Sequence, residues 1–271
     1  MSAQYKAEIS KYTKKDGITA LCFFAFWVIC HVAMIILADI FGAAFIIATV
    51  FNILLVAACF AVVIIKKQGL SSIGFRKKNL WPALRLGLLF SIIPLILNFG
   101  ILPGIIYSWE PRSLGMILSL SVGTFIFAAR EDIIFVGYIQ TRLYGLIKSD
   151  ILAISFGAFL FSIMHLVSPL VRSGLAAFNT QNLIWLFACF ILHFVFNALF
   201  RRYFIIFSTI ILHTMSNIAG QGNLWNIGEY AVTPSQSLLW AWLTILALVL
   251  SVGIWSLYVR RRSDTVSVEH M

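Results

Sequence analysis

Long apolar segments dominate this chain and limit the folds that are open to it. Each runs for about 18–25 residues, the length of an α-helix that crosses a hydrocarbon core of about 30 Å. Of the 271 residues, 61% are hydrophobic and only 11% are charged, with a mean hydropathy of +0.96. So few polar side chains could not cover a soluble domain. Because strand-like alternation is absent, the sequence predicts an all-α polytopic membrane helix bundle.

Eight segments are predicted to be transmembrane helices. They lie at about 18–38, 43–65, 83–107, 114–142, 151–169, 181–200, 203–220 and 236–259. All but three of the 20 lysines and arginines then fall in segments on one side of the membrane. Positive charge marks the cytoplasmic side of short loops, so both termini are predicted to be cytoplasmic. The polar start of the chain does not resemble a secretory signal peptide.

No linker divides the chain, so we expect a single membrane-embedded domain at 18–259. A cytoplasmic N-terminal tail at 1–17 and a cytoplasmic C-terminal tail at 260–271 would flank it. Residues 66–80 are too polar to span a bilayer, and we expect them either to lie along the cytoplasmic interface or to form a solvated loop. The net charge of +10 is placed at helix ends and reports topology. The lipid bilayer is therefore an expected partner, and nucleic acid is not.

A charged triplet, Arg130, Glu131 and Asp132, interrupts the fourth apolar segment. Ionisable groups inside a bilayer are costly, at a contested ~2.5 kcal/mol or more each, so they usually pair, face inward and serve a function. Arg130 could be a purely structural partner of either carboxylate. Two adjacent carboxylates are harder than one to explain by structure alone.

Three polar residues of other segments fall near the depth of Glu131. At a rise of ~1.5 Å per residue, Glu131 and His213 both lie roughly 16 Å from their cytoplasmic helix ends, and His165 roughly 22 Å. Asn217 follows His213 by one turn on nearly the same helix face. These four residues could therefore share one layer near the middle of the membrane, as bundles build internal sites from several helices.

Three further polar residues in apolar segments are interpreted as structural. His31, and His193 together with Asn197, are expected to be hydrogen-bond partners between helices. The roles of His193 and Asn197 stay open, because they form a second His-x-x-x-Asn pattern.

The chemistry that the layer of four residues allows is hydrolysis. A carboxylate can act as a general base toward water, and an imidazole can help to hold that water. A second imidazole and an amide one turn apart can stabilise a developing oxyanion. In an alternative, Glu131, His165 and His213 would bind a zinc ion that activates water. That alternative has no HExxH spacing in its favour, so no cofactor is the preferred prediction.

The motifs resemble those of the CPBP family, also called Abi or type II CAAX prenyl endopeptidase-like proteins. EDIIFVGYIQTRL at 131–143 is similar to the family's first motif, EExxxR. The pattern FxxxH follows at 161–165, and HxxxN at 213–217 comes after a double arginine at 201–202. The resemblance covers about 115–220, with the motifs in the family's order and on successive segments.

The resemblance implies an intramembrane endopeptidase with Glu131 as its catalytic carboxylate. The resemblance also implies that the family's two histidines correspond to His165 and His213, and its amide to Asn217. Two positions depart from the family pattern, since Asp132 replaces its second Glu and Val136 replaces its Arg. Asp132 is expected to be a supporting carboxylate, and Arg130 is a further supporting candidate that lies one residue before the pair.

Three functions follow in order of preference. The first is an intramembrane endopeptidase that cleaves a membrane protein or peptide in a bacterial plasma membrane, in processing or in bacteriocin self-immunity. The second is a non-catalytic scaffold or immunity protein of the same fold, motivated by the two departures from the motif. The third is a proton- or cation-coupled transporter, although the sequence shows no inverted repeat or paired broken helices.

Overall fold

The computed structural model describes residues 1–96, 109–111, 113–220, 225–227, 242–243 and 245–255. This part of the chain is mainly helical, with one two-stranded antiparallel ladder of β1 (Trp109–Pro111) and β2 (Trp225–Ile227). The helices are α1 (Ala3–Ile9), α2 (Lys14–Phe41), α3 (Ala44–Ile65), α4 (Leu80–Leu95), α5 (Leu114–Glu131), α6 (Gln140–Leu143), α7 (Asp150–Met164), α8 (Val167–Ser173), α9 (Thr180–Tyr203), α10 (Phe207–Gly220) and α11 (Ile245–Trp255). The described residues also include a π-helical segment at Asp132–Ile139 and two 3-10 turns, at Leu70–Ile73 and Gly174–Ala177.

The prediction of a helical membrane protein is confirmed. Within the described ranges, four helical stretches are long and apolar enough to cross a membrane, judged by length and composition: α2, α3, Asp150–Ala177 and α9. Helices α4 and α11 are apolar but shorter. Large apolar side chains point outward, as Ile65 does with 76% exposure, which suits a lipid solvent. The count of eight spans and the cytoplasmic side of both termini stay predictions.

Parts of the predicted third and eighth spans lie outside the described residues, as does the C-terminal tail at 260–271. Within the predicted tail at 1–17, helix α1 packs onto the bundle. Tyr5 is 0% exposed, and its ring meets the edges of Phe200 and Phe204 at centroid distances of 5.8 and 5.3 Å. The start of the chain is thus anchored to the bundle by aromatic packing.

The helix that carries the charged triplet changes its winding at that triplet. It runs without a break from Leu114 to Leu143, but the stretch Asp132–Ile139 is π-helical. Wider π turns inside α-helices are rare and often mark functional sites. Every residue of this stretch is buried, so it forms the centre of the bundle. At Gly137 an added Cβ would lie 2.9 Å from the carbonyl oxygen of Ile73, which explains why no side chain is present there.

Helix packing brings the polar segments next to this π-helical stretch. Helix α10 packs against α4 and α5, and α7 contacts the π-helical stretch and packs against α9. The contact of α10 with α4 is close, because a Cβ on Gly87 would lie 2.6 Å from the carbonyl oxygen of Ser208. The helices that hold His165, His213 and the charged triplet are therefore neighbours.

The centre of the polar segment 66–80 is inserted into the bundle. Ser72 and Ile73 are 0% exposed, so the alternative of a solvated loop is wrong for these residues. The position of the segment at the membrane interface stays a prediction. Arg142, also 0% exposed, donates hydrogen bonds to Gln68 Oε1 at 2.7 Å and to Ser72 Oγ at 2.6 Å. A buried guanidinium needs several acceptors, and this segment supplies them.

Candidate active site

Glu131 and Asp132 lie where α5 passes into the π-helical stretch. The side chain of Glu131 is 13% exposed and that of Asp132 is 0% exposed. Both carboxylates are therefore inside the bundle, where a charge is stable only beside partners. The two residues have different partners, which separates their roles.

Asp132 is bonded to His213 of α10. Its Oδ1 atom lies 3.0 Å from His213 Nδ1. A carboxylate can only accept, so Nδ1 carries the proton and donates it to Asp132. The other ring nitrogen, Nε2, lies 3.7 Å from Glu131 Oε2. The ring is further fixed by Phe196, at a centroid distance of 4.8 Å. Asp132 thus orients the His213 ring so that its Nε2 atom is directed toward Glu131.

His165 caps the C-terminal end of α7, where the helix breaks before α8. Its Nδ1 lies 2.9 Å from the carbonyl oxygen of Phe161, so Nδ1 donates and Nε2 is left for other contacts. The ring stands edge-on to Phe161 at a centroid distance of 5.1 Å. His165 and His213 both interact electrostatically with Glu131. The structure therefore brings these three predicted residues together.

Asn217 follows His213 by one turn of α10 and is half-buried. No hydrogen bond joins its side chain to another residue in the part of the chain that the structure describes. Asn217 thus shares the helix of His213 but makes no hydrogen bond to Glu131. Its place beside a reacting group stays a prediction.

Arg130 is a direct partner of Glu131. Its guanidinium donates to Glu131 Oε1 in a short ion pair and to Asn52 Oδ1 of α3 at 2.6 Å. It is 2% exposed and lies over the ring of Trp27 at 5.5 Å. The predicted supporting role of Arg130 gains a specific form here: it holds one carboxylate oxygen of Glu131 while the other faces His213.

The structure adds His31 to the surroundings of the site, where the sequence suggested only an interhelical contact. The ring of His31 stacks on Trp27 one turn earlier in α2, at a centroid distance of 4.7 Å. It interacts electrostatically with Arg130, Glu131 and His165. Trp27 and Asn52 were not singled out in the sequence. The available signals were weak: Asn52 is an amide in an otherwise apolar segment, and Trp27 and His31 share a helix face.

The second His-x-x-x-Asn pattern belongs to a separate cluster. His193 Nε2 lies 3.1 Å from Gln140 Oε1, and Asn197 donates to the carbonyl oxygen of His193 at 2.9 Å. Gly157 of α7 faces this pair so closely that a Cβ there would overlap Gln140 Oε1. The expectation that His193 makes a hydrogen bond between helices is confirmed, while Asn197 bonds within its own helix.

The residues of the zinc alternative do not form a ligand set. Among the residues that the structure describes, no group of three or more His, Cys, Asp or Glu is placed to hold a metal ion. His213 Nδ1 is bonded to Asp132, and one oxygen of Glu131 is bonded to Arg130. These bonds leave His213 Nε2 and Glu131 Oε2 without hydrogen-bond partners among the described residues, so metal dependence stays a prediction.

A family model described as Type II CAAX prenyl endopeptidase Rce1-like matches residues 110–219. The chain therefore contains an Rce1-like segment. The resemblance predicted from the motifs is thereby confirmed over about two fifths of the chain. No curated protein and no solved structure matches the chain.

The Rce1-like segment includes Glu131, Asp132, His165, His213 and Asn217. The family is one of proteases, which supports an endopeptidase in general terms. Together with the apolar helices, it makes the chain a multi-pass membrane protein with a protease-like segment.

The position where the family motif has Arg is occupied by Val136, which is 0% exposed and packs in the apolar core. The positive charge nearest to Glu131 comes from Arg130 instead. Whether Arg130 takes the place of the motif's Arg stays a hypothesis.

Proposed function

We propose that this protein is an intramembrane endopeptidase in which Glu131 activates a water molecule. The observation that carries the proposal is the approach of His213 Nε2 to Glu131 Oε2 at 3.7 Å. His165, from a third helix of the Rce1-like segment, is near enough to interact electrostatically with the same carboxylate. A carboxylate, two oriented imidazoles and a water-poor surround are the parts that peptide hydrolysis needs.

In the proposed reaction, Glu131 takes a proton from water as the water oxygen attacks the carbonyl carbon of the peptide bond. The carbonyl oxygen becomes an oxyanion, which protonated His213 stabilises by a hydrogen bond from Nε2 while Asp132 balances its charge. Asn217 would donate a second hydrogen bond. Collapse of the intermediate breaks the C–N bond, and the proton on Glu131 passes to the leaving amine. His165 would help to hold the water through Nε2.

The proposed substrate is a membrane protein or peptide that reaches the site from the bilayer. A prenylated peptide with a Cys-aliphatic-aliphatic-X end is tested beside it, because the matched family is named for that substrate, although a bacterial membrane favours an unprenylated one. The proposed location is a cell membrane, with a bacterial plasma membrane as the first to be tested. The proposed topology has eight transmembrane helices and both termini in the cytoplasm. The two biological roles to be tested are the processing of membrane peptides and bacteriocin self-immunity. The proposal includes neither a nucleic-acid partner nor a metal ion.

The test uses purified protein in liposomes with two quenched fluorogenic peptides, one prenylated and one an unprenylated transmembrane segment. Glu131→Gln keeps an oxygen for Arg130 but removes the base, so cleavage should fall by about 10²-fold or more. Asp39→Asn is the matched control, because Asp39 is 59% exposed in a surface ion pair. Cleavage should persist with a chelator. Undiminished cleavage by Glu131→Gln would rule out the assigned base.

A non-catalytic membrane protein of this fold is the second candidate, favoured by the apolar Val136 where the motif has Arg. It predicts that Glu131→Gln preserves the cellular phenotype, including any protection against a bacteriocin, at equal expression. Loss of the phenotype together with loss of peptide cleavage would exclude this candidate.

A further inference from the structure

Four buried nitrogen atoms on Arg130 and on residues near it have no hydrogen-bond partner among the described residues. They are Trp27 Nε1, His31 Nδ1, Asn52 Nδ2 and Arg130 Nε. Their side chains come from α2, α3 and α5. Buried polar atoms in native proteins are nearly always hydrogen-bonded, so each exception calls for an occupant. These four exceptions define what we call the donor cluster.

The donor cluster is contiguous. The guanidinium of Arg130 contacts Asn52 Oδ1 at 2.6 Å and lies 5.5 Å from the centre of the Trp27 ring. The ring of His31 stacks on Trp27 at 4.7 Å. The cluster therefore reaches Glu131 through Arg130, which is bonded to Oε1. The side of Glu131 Oε2 is the one that faces His213.

The free atoms are mostly donors. Asn52 uses its oxygen for Arg130, so its amide orientation follows from that bond and its NH₂ group is left without a partner. Trp27 Nε1 and Arg130 Nε can only donate, whereas His31 Nδ1 can donate or accept. Such an excess of donors suits a group that accepts hydrogen bonds and offers none in return.

The charge of the cluster favours a neutral acceptor. Arg130 is already balanced by Glu131 in an ion pair, and an added carboxylate would stand beside the carboxylate of Glu131 and be repelled by it. A peptide carbonyl oxygen is neutral and accepts two hydrogen bonds.

We propose that the donor cluster is a substrate subsite that binds a main-chain carbonyl oxygen next to the scissile peptide bond. This inference rests on the proposed endopeptidase function. The subsite holds the peptide on the Arg130 side of Glu131 and leaves the His213 side to the reaction. Helices α2 and α3 precede residues 110–219, so Trp27, His31 and Asn52 lie outside the Rce1-like segment.

The experiment measures binding without cleavage, in the Glu131→Gln background, with a fluorescent form of the prenylated peptide and of the transmembrane peptide. Trp27→Phe keeps an aromatic ring but removes its N–H, and His31→Phe keeps the stack but removes the nitrogen. Each should weaken binding by roughly 3- to 10-fold, the equivalent of one net hydrogen bond. The control is Trp81→Phe, whose ring is 69% exposed.

The kinetic arm uses the enzyme with Glu131 intact. Trp27→Phe should raise KM by the same factor and leave kcat within about twofold, because a positioning contact is made equally in the ground and transition states. A different result is expected if the donor cluster binds only water or has a purely structural role. Removing the unpaired N–H would then raise or preserve thermal stability and leave binding and KM unchanged, which would overturn the subsite.

The outcomes separate the two proposals. Loss of cleavage in Glu131→Gln with unchanged binding in Trp27→Phe and His31→Phe would refute the subsite and keep the endopeptidase. Weakened binding in these variants, with no cleavage by the unaltered protein, would refute the endopeptidase and keep a peptide-binding subsite. Failure of both peptides to bind would overturn the subsite as well.

Discussion

The bond between Asp132 and His213 provides the sharpest prediction. Two substitutions of Asp132 separate the effect of its negative charge from the effect of the hydrogen bond that orients the ring. Asp132→Asn keeps an oxygen that can accept from His213 Nδ1 at the observed 3.0 Å but removes the negative charge. Asp132→Ala removes the acceptor altogether. In wild type the bond is charge-assisted, and the site is closed to solvent, with Asp132 0% and His213 6% exposed.

The expected magnitudes follow from those contacts. A hydrogen bond to a charged group contributes about 1.5–3 kcal/mol, against about 0.5–1.5 kcal/mol for a neutral one. Asp132→Asn should therefore lose about 1–1.5 kcal/mol of transition-state stabilisation, which is roughly a 5- to 12-fold fall in kcat. Asp132→Ala leaves Nδ1 buried without an acceptor and the ring free to turn from Glu131. Its loss should approach that of an oxyanion donor, roughly 10²- to 10³-fold.

The assay pairs peptide cleavage in liposomes with thermal unfolding in detergent, so that rate and folding are read separately. Asp132→Ala should also lose about 1–3 kcal/mol of stability from the unpaired nitrogen. Asp39→Asn is the matched control, since its partner Arg172 is 58% exposed and such pairs contribute little. A folded Asp132→Ala protein that retains the wild-type kcat would refute the view that Asp132 orients His213.

The remaining predictions concern packing. Gly157→Ala should lower stability by about 1–3 kcal/mol because the new Cβ overlaps Gln140 Oε1, whereas Gly253→Ala, with open space around it, should not; differential scanning fluorimetry compares the two, and equal melting temperatures would contradict the close contact. Arg142→Met should lower the melting temperature by several degrees, because the side-chain and main-chain oxygens around the guanidinium lose their donor; a stabilised variant would show that these bonds contribute nothing net. Asp132→Glu restores the family's residue type but adds a methylene at a fully buried position, so it should cost about 1–3 kcal/mol in the same measurement; a neutral result would mean that the site can expand.

Much of the fold was predictable because helices in a bilayer must satisfy their backbone hydrogen bonds within themselves. Apolar length alone therefore located α2, α3 and α9 to within a few residues. The change to π-helical winding after Glu131 was not predictable, since it depends on how neighbouring segments pack around the buried stretch. The insertion of Ser72 into the bundle was hidden for a related reason: its partner Arg142 is 70 residues away.

For the site, sequence motifs and depth identified Glu131, His165 and His213 as neighbours before their contacts were known. They did not decide which carboxylate each imidazole would face. In the packing of α10 against α5, His213 Nδ1 is hydrogen-bonded to Asp132 and Nε2 is directed toward Glu131.

The sequence by itself thus determined the membrane solvent, the helical class and the order of the motif residues, because each depends on local composition and spacing. Only the tertiary structure decided that Arg130 holds Glu131 and that Trp27, His31 and Asn52 surround that pair. The contacts of Arg130 with Asn52 and Trp27 join helices far apart in the chain. Spacing along one helix defines a face, but the partner of that face is set by how whole helices pack.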